Sequence, residues 1–201
     1  VLAGAVLALV SATLVAMWLR VEPQALSDGL YGYNAILVGM ALPKCDPVYK
    51  ATIIPRGGAL GMVVSLPEMD RLQMHKDEAK QRIAMTMAGK AGEIIKYGEE
   101  GVYSGPVGDI QQASGLARAM VMRWGMSDKI GNIDYAEAHE GYNGATGGFS
   151  VSAETKKLIE AEVKALIDEG YDVARQVLLD KSEDFERLAK GLLEYEPLTG
   201  D

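Results

Sequence analysis

The sequence predicts a mainly helical domain with a small β-hairpin, preceded by a transmembrane helix. Residues 1–43 contain only three charged side chains, Arg20, Glu22 and Asp28, whereas charges recur every few positions in the rest of the chain. Two short apolar runs then flank a glycine-containing turn, and most of the remaining chain repeats apolar residues at helical spacing. We therefore expect a membrane segment at residues 1–43 and a folded domain at residues 44–201.

The first residues form an apolar run long enough to span a membrane. Residues 1–19 carry no charge, and a run of this length is close to the roughly twenty residues that cross a bilayer core. Trp18 and Arg20 lie where an interfacial aromatic and a cation are expected. Because cationic flanks remain in the cytoplasm, Arg20 predicts a cytoplasmic location for the domain that follows.

A weakly polar, glycine-rich stretch follows at residues 26–42. Gly29, Gly32 and Gly39 are spaced for close helix contact. The segment from Gly29 to Gly39 resembles a sequence signature of bacterial urea transporters, and the resemblance covers about residues 1–43. It implies a fragment of one transporter repeat, while the residues alone fit a membrane anchor with a packing segment.

A β-hairpin is predicted next. The runs at residues 48–55 and 60–66 are rich in β-branched and apolar residues. Between them, Arg56, Gly57 and Gly58 supply a turn.

Four helices are predicted after the hairpin. Apolar residues recur at helical spacing in residues 76–97 and 109–124. Ser152 precedes acidic first-turn residues and predicts the start of a long helix that runs to about Leu179. A last helix should cover residues 182–195 and stop before Pro197, antiparallel to the long one. The glycine-rich residues 141–149 are predicted to form a mobile surface loop.

Composition excludes several classes of function. The net charge is -8 and the pI is about 4.9, which argues against a nucleic-acid partner because no dense Lys/Arg cluster is present. The single cysteine, Cys45, excludes an internal disulfide and a cysteine-rich metal site, and it fits a reducing compartment.

A series of separated blocks resembles the peptidase domain of FtsH-type ATP-dependent zinc proteases. The blocks keep the family's order and spacing over about residues 38–201. They lie at residues 38–43, 46–48, 52–61, 66–68, 70–71, 88–91, 104–113, 126–129 and 193–196.

The resemblance implies a zinc site whose main motif is missing here. In the family a His-Glu-x-x-His helix precedes the block at residues 38–43, and histidines four apart on one helical face bind zinc. Alignment on that block places Tyr31 and Ala35 at the histidine positions and Gly32 at the position of the general base. The two histidines of the chain, His75 and His139, lie elsewhere in the sequence, are not four residues apart and are predicted to be surface residues.

Asp109 matches the family's third zinc ligand. A lone carboxylate would hold zinc weakly, because affinity depends on several converging ligands. A plainer role is that of a helix N-cap, where a carboxylate accepts hydrogen bonds from unpaired backbone N–H groups. We expect the cap to be the role that remains.

The leading hypothesis is a urea-transporter-like segment fused to an FtsH-like peptidase domain that is catalytically inactive and binds no zinc. The resemblance implies unfolded protein substrates, ATP used only through a module absent from this chain, and the bacterial inner membrane as the location. One alternative is a membrane-anchored, non-catalytic interaction module of an FtsH-like hexamer. The other is a urea-transporter fragment.

Overall fold

A computed structural model describes residues 35–52, 62–66, 73–102, 104–135, 151–195 and 197–199. The predicted membrane span, the Gly29 and Gly32 positions, the Arg56–Gly58 turn and the glycine-rich loop at residues 141–149 lie outside these ranges. None of the helices within the described ranges combines the length and apolar character that a bilayer crossing requires.

The predicted hairpin is confirmed and belongs to a three-stranded sheet. Strands β1 (Val48–Thr52) and β2 (Met62–Ser65) pair antiparallel. A third strand, β3 (Pro197–Thr199), pairs antiparallel with the other edge of β1, so the order is β2-β1-β3. Strand β3 was not predicted, because its three residues carry too little pattern to signal a strand.

A short helix precedes the sheet. Helix α1 (Ala35–Ala41) buries Leu37 and Val38 in a cluster of apolar residues from two longer helices, which include Ala88, Ala91, Ala174 and Leu178. The predicted close contact at Gly39 is confirmed, because a Cβ atom there would lie 3.1 Å from Met85 Sδ. The first described helix is thus part of the core of the domain.

Helix α2 (Lys76–Tyr97) has the bounds that the sequence predicts. His75 is its N-cap and accepts a hydrogen bond at Nδ1 from the Asp77 N–H. Gly98 ends the helix with a positive φ of 76°, which an L side chain rarely adopts. The prediction of His75 as a surface residue is confirmed, since its side chain is 70% exposed.

Helix α3 (Val107–Met122) begins and ends two residues earlier than predicted. A turn in which the Val107 N–H donates to the Ser104 carbonyl leads into it, and the Ile110 N–H then donates to the Pro106 carbonyl. The start of α3 is therefore decided by this turn and not by Asp109.

The bounds of the last two helices also follow the prediction. Helix α4 (Ala153–Asp180) starts after Ser152, whose hydroxyl accepts from the Thr155 N–H, and helix α5 (Ser182–Tyr195) follows Lys181. The main packing partner of α4 is α2, while α4 and α5 contact each other only to a limited extent. The core therefore lies along α2, which contacts α1, α3 and α4.

Candidate functional site

The residues that match the family's metal site lie on two helices that pack on α2. Ala35 is the first residue of α1 and Asp109 lies in the first turn of α3. Helix α1 packs on Ala88 and Ala91 of α2. The turn before α3 meets α2 slightly further along, at Glu93. One short stretch of α2 therefore supports both ends of the candidate site.

The expectation that Asp109 caps its helix is wrong. The N-cap of α3 is Pro106, which makes no side-chain hydrogen bond, and Asp109 is the third helical residue. The cause is the Ser104–Val107 turn, which starts the helix before Asp109 is reached. Asp109 still lies in the first turn, where a negative charge interacts favourably with the helix dipole.

The environment of Asp109 favours a protonated carboxyl group. The side chain is half-buried, and burial raises its pKa above the ordinary value of 3.8. Burial disfavours the charged form because the carboxylate loses hydration. A bound metal cation would have the opposite effect and would favour the carboxylate.

Glu93 is a buried acidic residue that the sequence did not predict to be part of the site. Only 5% of it is exposed, and its Oε1 lies 3.7 Å from the place that a Cβ would take on Gly105. Gly105 stands two residues before α3, so Glu93 lies against the turn that starts this helix. A charged residue directly after Gly92 and before Ile94 on a helix was the available signal, and it is too weak to predict burial.

The described residues do not fit a zinc ion. Within the described ranges no group of three His, Cys, Asp or Glu side chains converges on one point. Ala35 offers a methyl group where an imidazole would be needed, and His75 serves as the cap of α2. Tyr31, Gly32 and His139 lie outside the described residues.

Two residues of the family-like block at residues 126–129 form a polar cluster with α4. Ser127 is buried and its hydroxyl donates to Glu162 Oε2 over 2.8 Å, while Lys129 Nζ lies 2.6 Å from Glu162 Oε1. The hydrogen bonds from Lys129 and Ser127 lower the pKa of Glu162. This cluster ties the segment after α3 to α4, and we assign it a structural role.

Comparison with protein families gives two overlapping matches. Residues 34–201 match the model of Peptidase family M41, and residues 1–65 match the model of the urea transporter family. Within the second range, α1, β1 and β2 belong to the helical domain and its sheet. The predicted resemblance to an FtsH-type peptidase domain is thus confirmed, while the urea-transporter resemblance has only weak support.

The chain is similar to bacterial proteins named ATP-dependent zinc metalloprotease FtsH. It is 44% identical to the Caulobacter vibrioides protein over 189 residues, which cover 92% of this chain and 30% of that protein. It is 45% identical to the Rickettsia bellii protein over 165 residues, which cover 82% of this chain and 26% of the relative. The Protochlamydia amoebophila protein is 40% identical over 171 residues, which cover 82% of this chain and 18% of that protein. The chain thus spans less than a third of the length of these relatives.

Proposed function

Because this chain belongs to peptidase family M41, we propose that it is a zinc-free, non-catalytic member whose domain binds to intact zinc-protease subunits. Proteolysis, ATP use and unfolded protein substrates would then belong to those subunits and not to this chain. The chain contributes a folded helical domain and, through residues 1–19, attachment to the membrane.

The observation that carries this proposal is Ala35. It occupies the position of the family's second imidazole on a described helix, and its methyl group has no lone pair to give to a metal. In the sequence, Tyr31 and Gly32 stand where the first imidazole and the general base would be. Asp109 alone cannot supply the several ligands that a structural or catalytic zinc requires.

The first experiment measures zinc and proteolysis on the full chain. We expect no stoichiometric zinc by metal analysis and no cleavage of casein. One tightly bound zinc per chain, with cleavage that is abolished by Asp109→Ala, would overturn the proposal.

Restoring the motif provides a matched positive control. The triple variant Tyr31→His, Gly32→Glu and Ala35→His returns two imidazoles and a carboxylate to their family positions. If the remaining scaffold is intact, this variant gains about one zinc per chain, and the further change Asp109→Ala weakens that binding by about tenfold or more.

Exposed apolar side chains favour the binding part of the proposal. Val107 and Ile110 on α3, and Trp124 just after it, are 58%, 39% and 43% exposed. Val107 and Ile110 lie in the first turn of α3 and Trp124 lies just past its last residue, so exposed apolar side chains stand at both ends of this helix. Large exposed apolar side chains are typical of surfaces that another protein covers.

Co-purification with an intact relative tests this part. We expect the chain to co-purify with a tagged FtsH protein from Caulobacter vibrioides, and Trp124→Glu to abolish the association. The control is Leu158→Glu, which changes a side chain on α4 that is 38% exposed. Equal loss in both variants, or no co-purification, would contradict binding through the α3 surface.

A further inference from the structure

A cavity of about 470 Å³ lies between α3 and α4, next to Tyr135. Its floor is aliphatic: Met122, Ile159 and Val163 are buried there, and Ile167 is half-buried beside them. The cavity falls in the size range of small-molecule sites, which are mostly apolar with a few polar groups at fixed positions.

The rim of the cavity is cationic although the chain as a whole is acidic. Arg118 comes from α3, and Lys156 and Lys164 come from α4, against the single acid Glu160. Lys164 is paired with Asp168 of its own helix. The charged side-chain groups of Arg118 and Lys156 make no hydrogen bond or ion pair in the described part of the chain, so two cations remain available at the mouth.

From this arrangement we infer that the cavity binds an aliphatic carboxylate, such as a medium-chain fatty acid. The carboxylate would accept charge-assisted hydrogen bonds from Arg118 and Lys156, while the alkyl chain covers the aliphatic floor. A peptide with an apolar C-terminal residue shares this chemistry but also carries amide groups. Among the described lining residues, only the Ser114 and Tyr135 hydroxyls are neutral polar partners for such amides, so the alkyl chain is the better fit.

Calorimetric titration of the full chain in lipid nanodiscs, with empty nanodiscs as the blank, tests the site. The probe is decanoate below its micellar concentration, compared with decanol and with N-acetyl-leucyl-leucine. We expect decanoate to bind about tenfold more tightly than either comparison ligand, which is the ratio that one lost charge-assisted hydrogen bond gives.

Charge variants separate the site from general lipid uptake. The double variant Arg118→Gln and Lys156→Gln should weaken decanoate binding by about tenfold or more. Lys157→Gln is the matched control, because Lys157 is exposed on the same helix and does not line the cavity. Equal binding of decanoate and decanol, tighter binding of the peptide, absence of decanoate binding, or equal loss in the control would each overturn the proposal. Because the readout is binding of a fatty acid, its failure is distinct from a failure of the zinc experiments.

Discussion

At the scale of single residues, two carboxylates of the domain respond to their surroundings in opposite directions. Asp109 loses hydration and has no cationic partner among the described residues, and burial raises its pKa. Glu162 accepts hydrogen bonds from Lys129 and Ser127, and its pKa falls. The two groups should therefore contribute oppositely to the dependence of stability on pH.

Asp109→Asn should stabilise the protein at neutral pH. Since the folded-state pKa of Asp109 is raised, the folded form holds its proton to a higher pH than the unfolded form does. Its contribution to stability is complete below the ordinary value of 3.8 and declines as the pH rises through the folded-state pKa. Asn has no charge to desolvate, so the gain in the free energy of unfolding should grow from about pH 3 to about pH 7. A gain that shrinks over this range in urea titrations would contradict the effect of burial.

Glu162→Gln should destabilise the protein by about 1–2 kcal/mol at neutral pH, because it weakens two charge-assisted contacts. Since the folded-state pKa of Glu162 is lowered, its stabilisation is present above the ordinary value of 4.5 and is lost as the pH falls through the folded-state pKa. Glu160→Gln is the control, since it removes an equal charge from the exposed face of the same helix. Chemical unfolding at several pH values should show that the loss in free energy of unfolding caused by Glu162→Gln shrinks as the pH falls.

At the scale of elements, the contact between α2 and α4 depends on a glycine. A Cβ atom on Gly170 of α4 would lie 2.6 Å from Ile83 Cγ2 and 3.2 Å from the backbone N of Ala84. The two helices are therefore in backbone contact at this point. No side-chain rotation can relieve the approach to the Ala84 backbone.

Gly170→Ala should lower the free energy of unfolding by about 1–3 kcal/mol, the cost of overpacking a core, despite the better helix propensity of alanine. Gly115→Ala on α3 is the matched control, because a Cβ atom there would meet open space. That variant should be neutral or more stable by up to about 1 kcal/mol. Thermal unfolding that ranks the two variants in the reverse order would refute the close helix contact.

At the scale of the whole molecule, α1 joins the helical core to the three-stranded sheet. Its Ile36, Leu37 and Val38 side chains are at most 9% exposed and reach both the helical core and the sheet. The domain boundary proposed at residue 43 would separate this helix from its partners, so the boundary can be tested by truncation.

A chain that starts at Lys44 should be less stable than one that starts at Ala35. Burial of each large apolar side chain is worth about 1.5–3 kcal/mol, and the shorter chain lacks three of them. It should also bind a hydrophobic dye, since the α2 and α4 surface under α1 becomes exposed. Equal unfolding midpoints and no dye binding in either chain would support the boundary at residue 43.

The proposed membrane attachment is a second property of the whole chain. We expect the full chain to resist extraction by alkaline carbonate and a reporter fused after Asp201 to be active only in its cytoplasmic form. The chain without residues 1–19 is the control and should be released. Extraction of the full chain, or a periplasmic reporter, would contradict an anchor with a cytoplasmic domain.

Sequence alone predicted the hairpin and the four longer helices of the described part of this protein, but not the short helix α1. The bounds of α2 and α5 and the Ser152 cap of α4 follow from periodicity and capping, which act between residues a few positions apart. The loss of two imidazoles and a base is likewise evident in the sequence at Tyr31, Gly32 and Ala35.

Only the tertiary structure decided the features that join distant parts of the chain. The pairing of β3 with β1, the contact of Gly170 with Ile83 and the burial of Glu93 beside Gly105 each require segments that the sequence does not place together. Asp109 is an example within the site, because a local pattern predicted a cap while the preceding turn and the packing of α3 made it a half-buried first-turn residue. The physical reason is that local patterns specify which face of an element is buried, whereas packing of the whole chain specifies which residues cover it.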